Sequence, residues 1–154
     1  AHHFSMNLNN WKRYHDTGGG VLRFYGVHII AFLSTLGYKN IINSTLIEDN
    51  YNEPHTWEAS ISGDGLPVCH VILNCKSSKD VFDICNAKFG NMVSSKDPFN
   101  LITDDVGQLD RRVSILTKIL NKDLYGQYKL KSVYKSINNL WKEVERVTKV
   151  INTR

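Results

Sequence analysis

Cysteine and histidine are the first residue types to weigh as sources of chemistry, because a thiolate beside a histidine is nucleophilic and both residues bind zinc. The three cysteines are Cys69, Cys75 and Cys85. Cys69 is adjacent to His70, so on an extended strand the two side chains point to opposite faces, and the sequence contains no close C-x2-C pair. The spacing favours buried structural thiols over a zinc site. A Cys69 or Cys75 nucleophile beside His55 or His70 stays open.

A second group of polar residues surrounds a predicted turn and the end of the following strand. Gly63-Asp64-Gly65 predicts the turn, and strand alternation places Asn74 and Lys76 on one face. Over residues 21–85 this order of elements resembles restriction-type nucleases with the PD-(D/E)xK core. The resemblance implies that Asp64 holds Mg²⁺, that Asn74 replaces the family's Glu or Gln, and that Lys76 acts with the metal to activate water. No Pro precedes Asp64, and a solvated β-turn and strand end is the favoured interpretation.

The most regular apolar pattern of the chain lies at its end. From Leu130 to Ile151, apolar residues recur at alternating spacings of three and four, which keeps one apolar seam on one side of a helix. We predict an amphipathic helix over residues 127–154, packed on the rest of the chain or extending from it. The seam predicts self-association or docking on a partner protein. Together with the adjoining Trp141, the expected partner-binding residues are Leu130, Val133, Ile137, Leu140, Trp141, Val144, Val147 and Ile151.

Positive charge is concentrated in the same region. Residues 1–103 contain eight Lys and Arg against nine Asp and Glu, whereas residues 104–154 contain 11 against six. Such a basic surface attracts a polyanion, such as nucleic acid or an anionic membrane face, although the solvated back of a packed helix has the same composition. Tyr134 and Trp141 stand beside lysines, as stacking rings do in single-strand binders, but we expect them to widen the apolar interface. The candidate nucleic-acid-binding residues are Lys129, Lys131, Lys135, Lys142, Arg146 and Lys149.

Length and composition place the chain among ordinary globular proteins. Its 154 residues are 42% hydrophobic and 22% charged, which suits one domain that buries roughly 70% of its unfolded surface. An odd, sparse set of cysteines indicates reduced thiols and an intracellular protein. No apolar run approaches the ~20 residues of a membrane span. Outside the nuclease hypothesis, we expect no cofactor and no resident metal ion.

The order of periodic segments predicts an α+β fold with its helices on one face of a three-stranded antiparallel sheet. The predicted elements are a helix over residues 21–36, strands over 39–47, 55–62 and 66–76, helices over 77–90 and 103–120, and the long heptad helix.

We divide the chain into a polar N-terminal segment (1–20), an α+β domain (21–126) and a basic amphipathic helix (127–154). One interpretation of residues 1–5 is an expression remnant before a native Met6. The favoured function is a non-enzymatic interaction or assembly module that binds a protein partner, or a second copy, through the heptad helix. The alternatives are nucleic-acid binding through the basic face and Mg²⁺-dependent cleavage by the nuclease residues.

Overall fold

A computed structural model describes residues 4, 6–77, 82–86, 91–95 and 127–153. The chain forms two compact units, and each is described by itself. The first unit consists of Ala1–Ser78 and Tyr128–Arg154, and the second consists of Lys79–Gln127. The predicted α+β class is confirmed in the first unit.

The first unit begins with a short 3-10 helix, Trp11–Arg13, and a helical segment in two parts. Val21–Gly26 is π-helical, and α1 continues from it as Val27–Thr35. The helix predicted over residues 21–36 is therefore present, but its first six residues are π-helical. Gly26 lies against the Trp57 ring, so the helical segment approaches the sheet closely at a position without a side chain. Gly20, immediately before this helical segment, has φ of +74° and lies against the Pro54 side chain. A residue with a side chain would be strained there and would clash with Pro54.

The sheet of the first unit has four strands, one more than predicted. The predicted strands are present as β1 (Tyr38–Glu48), β2 (Pro54–Gly63) and β3 (Cys69–Asn74), which pair antiparallel in sequence order. A fourth strand, β6 (Lys149–Asn152), pairs parallel with β1. The resulting order is β3-β2-β1-β6.

The strand β6 also corrects the predicted C-terminal helix. That helix, α2 (Gln127–Val147), ends seven residues earlier than expected. Thr148 follows it and donates its hydroxyl proton to the Val144 carbonyl oxygen at 2.6 Å. The Val150-Ile151 pair has high β propensity and finds an open edge on β1, which outweighs the heptad spacing there. Residues 127–154 are thus a helix followed by a strand.

The second unit contains a hairpin of β4 (Phe82–Asn86) and β5 (Asn91–Ser95). The prediction of a helix over residues 77–90 was wrong. Short apolar runs rich in Phe and Ile fit a helix or a strand equally well by periodicity, and here the strand forms. The helix predicted over residues 103–120 lies outside the described residues.

The core of the first unit lies between the sheet and the helices. Trp57 at its centre is fully buried, and Leu46 pairs with it across the β1–β2 ladder. The largest fully buried side chains are Trp57, Leu22, Ile30, Leu46, Ile61, Leu140, Val21, Val144 and Pro54. The helix α2 therefore contributes to the same core as the sheet.

A chain of hydrogen bonds joins this core to the end of α2. The Trp57 indole N–H donates to Ser44 Oγ at 2.9 Å, and Ser44 Oγ lies 2.6 Å from Thr148 Oγ1. Because Thr148 donates its hydroxyl proton to the Val144 carbonyl oxygen, its Oγ1 accepts a hydrogen bond from the Ser44 hydroxyl. The hydroxyls of Ser44 and Thr148 thus both have partners, which avoids the cost of about 1–3 kcal/mol for an unsatisfied buried polar group.

Candidate nucleic-acid interface

The apolar seam of α2 divides into two halves. Leu140 and Val144 in the second half are 1% and 0% exposed, and Trp141 and Val147 pack against them at the edge of the core. Ile151 lies on β6 and is 50% exposed. The second half is thus used inside the chain and is not available to a partner.

The first half of the seam lies outside the core cluster. Val133 and Ile137 are half-buried and do not belong to the core group of the first unit. The side chain of Leu130 lies outside the described residues. The first half is therefore where the seam keeps partly accessible apolar surface.

Four basic residues of α2 occupy the side opposite its buried residues. At 3.6 residues per turn, Lys131, Lys135, Lys142 and Arg146 fall within an arc of about 60°, centred roughly 150–170° from the Leu140 and Val144 positions. All four basic side chains are exposed. A rise of about 1.5 Å per residue separates them by roughly 6, 10 and 6 Å along the axis. We call these four residues the basic face.

The acidic residues of α2 do not neutralise the lysines of the basic face. Glu143 pairs with Arg146 at 3.0 Å, and Glu145 pairs with Arg23 of the π-helical segment at 3.2 Å. Within the described residues, Lys131, Lys135 and Lys142 have no ion-pair partner. The basic face therefore carries unbalanced positive charge into solvent.

The two other predicted nucleic-acid contacts stand apart from this face. Lys149 is exposed but belongs to β6, beyond the end of the helix. The side chain of Lys129 lies outside the described residues. The two aromatic rings that were candidates for stacking have different environments. Trp141 packs against the core, whereas Tyr134 is 68% exposed.

The residues of the nuclease hypothesis lie at opposite ends of β3. Asp64 is in the β2–β3 turn, where Lys39 Nζ donates to it at 2.7 Å and lowers its pKa. Asn74 is the last residue of β3, roughly 17 Å along the strand from its start at about 3.4 Å per residue. Beyond it, Lys76 pairs with Asp49 instead. The structure therefore does not bring Asp64 together with Asn74 and Lys76.

Burial suppresses thiol chemistry at Cys69 and Cys75. Cys75 is 3% exposed, and burial raises the pKa of its thiol to about 12. Burial also raises the pKa of Cys69. Both side chains are protonated at neutral pH, whereas a nucleophile needs the thiolate.

The histidines near these cysteines have other hydrogen-bond partners. His55 contacts Thr56 and Asp49, and His70 Nδ1 lies 2.9 Å from Ser60 Oγ across the β2–β3 ladder. In the part of the chain that the structure describes, no three metal-ligating side chains come together. These residues stabilise the ends and the exposed face of the sheet.

A polar cavity of about 190 Å³ was not predicted from the sequence. Asp49 and Lys76 form one ion pair at its wall, and Arg13 and Glu53 form a second at 2.5 Å. Hydrogen bonds from Lys76, Thr153 and His55 hold the pKa of the Asp49 carboxyl well below its usual range. Each of these ion pairs is neutral by itself. Because they join residues distant in sequence, this cluster connects the N-terminal segment with the strand ends.

His15 lines a second cavity, of about 250 Å³, where the N-terminal segment meets α2. Its Nδ1 is buried and has no hydrogen-bond partner within the described residues. Burial, and then the neighbouring Arg23 guanidinium, lower the pKa of His15, while Glu145, Asp16 and Glu48 oppose this shift. Protonation of His15 in the folded chain is therefore unfavourable.

The lowered pKa of His15 predicts a loss of stability in mild acid. Below pH 6.5 the unfolded chain binds a proton at His15 that the folded chain resists, so the free energy of unfolding falls as the pH decreases from 7 to 5. In the variant His15→Gln this dependence becomes shallower. Urea unfolding at pH 5, 6 and 7 measures how the free energy of unfolding depends on pH. Equal pH dependences for wild type and His15→Gln would show that the burial of His15 has no energetic consequence.

No helix within the described residues has both the length and the apolar character that crossing a bilayer requires. Comparisons with protein-family models, with curated proteins and with solved structures gave no match. The functional argument therefore rests on the geometry and charge of the chain itself.

Proposed function

We propose that this protein is a nucleic-acid-binding module that contacts phosphates through the basic face of α2. The observation that carries the proposal is the orientation of the helix: Leu140 and Val144 are buried in the core, while the unpaired Lys131, Lys135 and Lys142 point away from it. A helix fixed in this way presents its cations without having to fold or reorient on binding.

The expected binding mechanism is electrostatic. Each lysine that contacts a phosphate releases condensed counterions, so affinity falls as salt rises. Lysine ammonium groups recognise phosphate as point charges and do not read base edges, which predicts weak sequence preference. The free thiol of Cys69 suits an intracellular protein, where nucleic acids are present.

The fixed apolar side of α2 favours nucleic acid over an anionic membrane. An interfacial amphipathic helix binds lipid by inserting its apolar face about 5–10 Å into the headgroup boundary. Here Leu140 and Val144 are already buried against the sheet. Lipid binding would require the helix to leave the core, whereas phosphate binding leaves it in place.

A fluorescence-anisotropy titration with a labelled 20-nucleotide oligonucleotide tests the proposal. At about 50 mM salt we expect saturable binding with a dissociation constant in the micromolar range or below, typical of non-specific phosphate contacts. If no binding is detected at about 100 µM protein, well above the expected dissociation constant, the proposed function is refuted.

Self-association through the first half of the seam is a second proposal. Val133 and Ile137 are half-buried and lie outside the core cluster, so a second copy or a partner helix would cover apolar surface there. The two proposals are compatible, because these residues and the basic face lie on different sides of α2.

A further inference from the structure

Tyr134 is an exposed aromatic residue of α2 that lies between the apolar seam and the basic face. It is 68% exposed, and neither its ring nor its hydroxyl has a partner within the described residues. Packing among the described residues therefore does not explain its presence, in contrast to Trp141 one heptad later, which packs against the core.

Cations flank this ring on the helix surface. Lys131 lies one turn before Tyr134 and Lys135 directly follows it, so the ring borders the basic face on its N-terminal half. Both lysines are exposed and have no ion-pair partner in the described part of the chain. A strand whose phosphates contact these lysines would bring a base within reach of the ring.

We infer that Tyr134 is a base-stacking platform and that the ligand of the basic face is single-stranded nucleic acid. This inference rests on the proposed function. In a duplex each base face is covered by the neighbouring base pair, so a tyrosine on the protein surface has no free base to stack on. In a single strand each base has a free π-face, which stacks on an aromatic ring whatever its sequence.

The experiment compares Tyr134→Ala with Tyr134→Phe, which keeps the ring and removes only the hydroxyl. Tyr51→Ala is the matched control, because Tyr51 is 89% exposed and lies in the β1–β2 connection. Each variant is titrated with a labelled 20-nucleotide oligothymidylate and with a 20-base-pair duplex at one salt concentration. We expect Tyr134→Ala to weaken single-strand binding at least about fivefold, with Tyr134→Phe and Tyr51→Ala close to wild type.

The outcomes separate this inference from the proposed function. If the single strand binds and Tyr134→Ala binds it as wild type does, stacking is refuted and phosphate binding stands. If the wild-type protein binds the duplex more tightly than the strand, the single-strand assignment is refuted. If neither nucleic acid binds, the proposed function and the inference fail together.

Discussion

Replacing both Lys135 and Lys142 with glutamate is expected to weaken binding to a single-stranded oligonucleotide about 30-fold at low salt. The two side chains lie on one face of α2, roughly 10 Å apart along its axis, and have no ion-pair partner in the described residues. A lysine–phosphate pair in water is worth about 1 kcal/mol, so losing two such pairs costs about 2 kcal/mol before any repulsion is counted. Anisotropy titrations at about 50 mM salt measure the change.

The control for this prediction changes the net charge by the same amount elsewhere. Lys12→Glu combined with Lys39→Glu alters the 3-10 helix and the start of β1, neither of which belongs to α2. We expect this control to bind within about threefold of wild type, since what it loses is long-range attraction that salt screens. Equal losses in both double variants would mean that net charge, and not the basic face of α2, governs binding.

Replacing Leu140 with alanine is expected to lower the free energy of unfolding by about 2–5 kcal/mol. Leu140 is 1% exposed in the core, and truncation there removes buried methyl groups and leaves a cavity. Alanine is the better helix former, so helix propensity cannot account for a loss. Urea denaturation measures the change, with Ile137→Ala as the matched control on the same helix. Ile137 is only half-buried, so we expect less than half of the effect.

The same variants distinguish packing within the chain from packing between chains. If α2 belongs to the core of its own chain, Leu140→Ala lowers stability and leaves the mass by light scattering unchanged. A variant that keeps wild-type stability but changes the mass would place Leu140 at an interface between copies. A change of mass confined to Ile137→Ala would support self-association through the first half of the seam.

The sheet was predictable where local sequence signals agree. Alternation in β2 separates the apolar Trp57, Ala59 and Ile61 from polar residues on the other face, of which Glu58 is exposed but Thr56 and Ser60 are buried, and the Gly63-Asp64-Gly65 turn ends the strand. Period-two patterns bounded by turn residues are among the most specific signals in a single sequence. The paired strands β1, β2 and β3 therefore match their predicted positions closely.

The strand β6 was not predictable, because its cause is distant in sequence. Ile151 continues the heptad spacing of α2, and nothing local marks a change of structure except the β-branched pair Val150-Ile151 itself. The strand forms because the edge of β1, about 100 residues earlier, is open. There Leu46 and Ile47 pair with Val150 and Ile151. Tertiary context overrides a periodic pattern in this way. The β4–β5 hairpin shows a similar ambiguity for a short apolar run.

The candidate interface was predictable in its composition but not in its use. The sequence identified Lys131, Lys135 and Lys142 together with the apolar seam. It left open whether the seam binds within the chain or outside it, and the burial of Leu140 and Val144 decides this for the second half. The sequence offered no signal for the polar cavity, because its ion pairs join residues 40 and 27 positions apart.

The most direct test of the central claim is the dependence of single-strand affinity on salt. A labelled 20-nucleotide strand is titrated with the wild-type protein between about 50 and 200 mM salt. Three lysine–phosphate contacts predict a slope of about −2 for log K against log salt, or a weakening of about 20-fold across this range. The Lys135→Glu and Lys142→Glu double variant should show a clearly shallower slope. A wild-type slope near zero, or equal slopes for the two proteins, would contradict phosphate binding by the basic face.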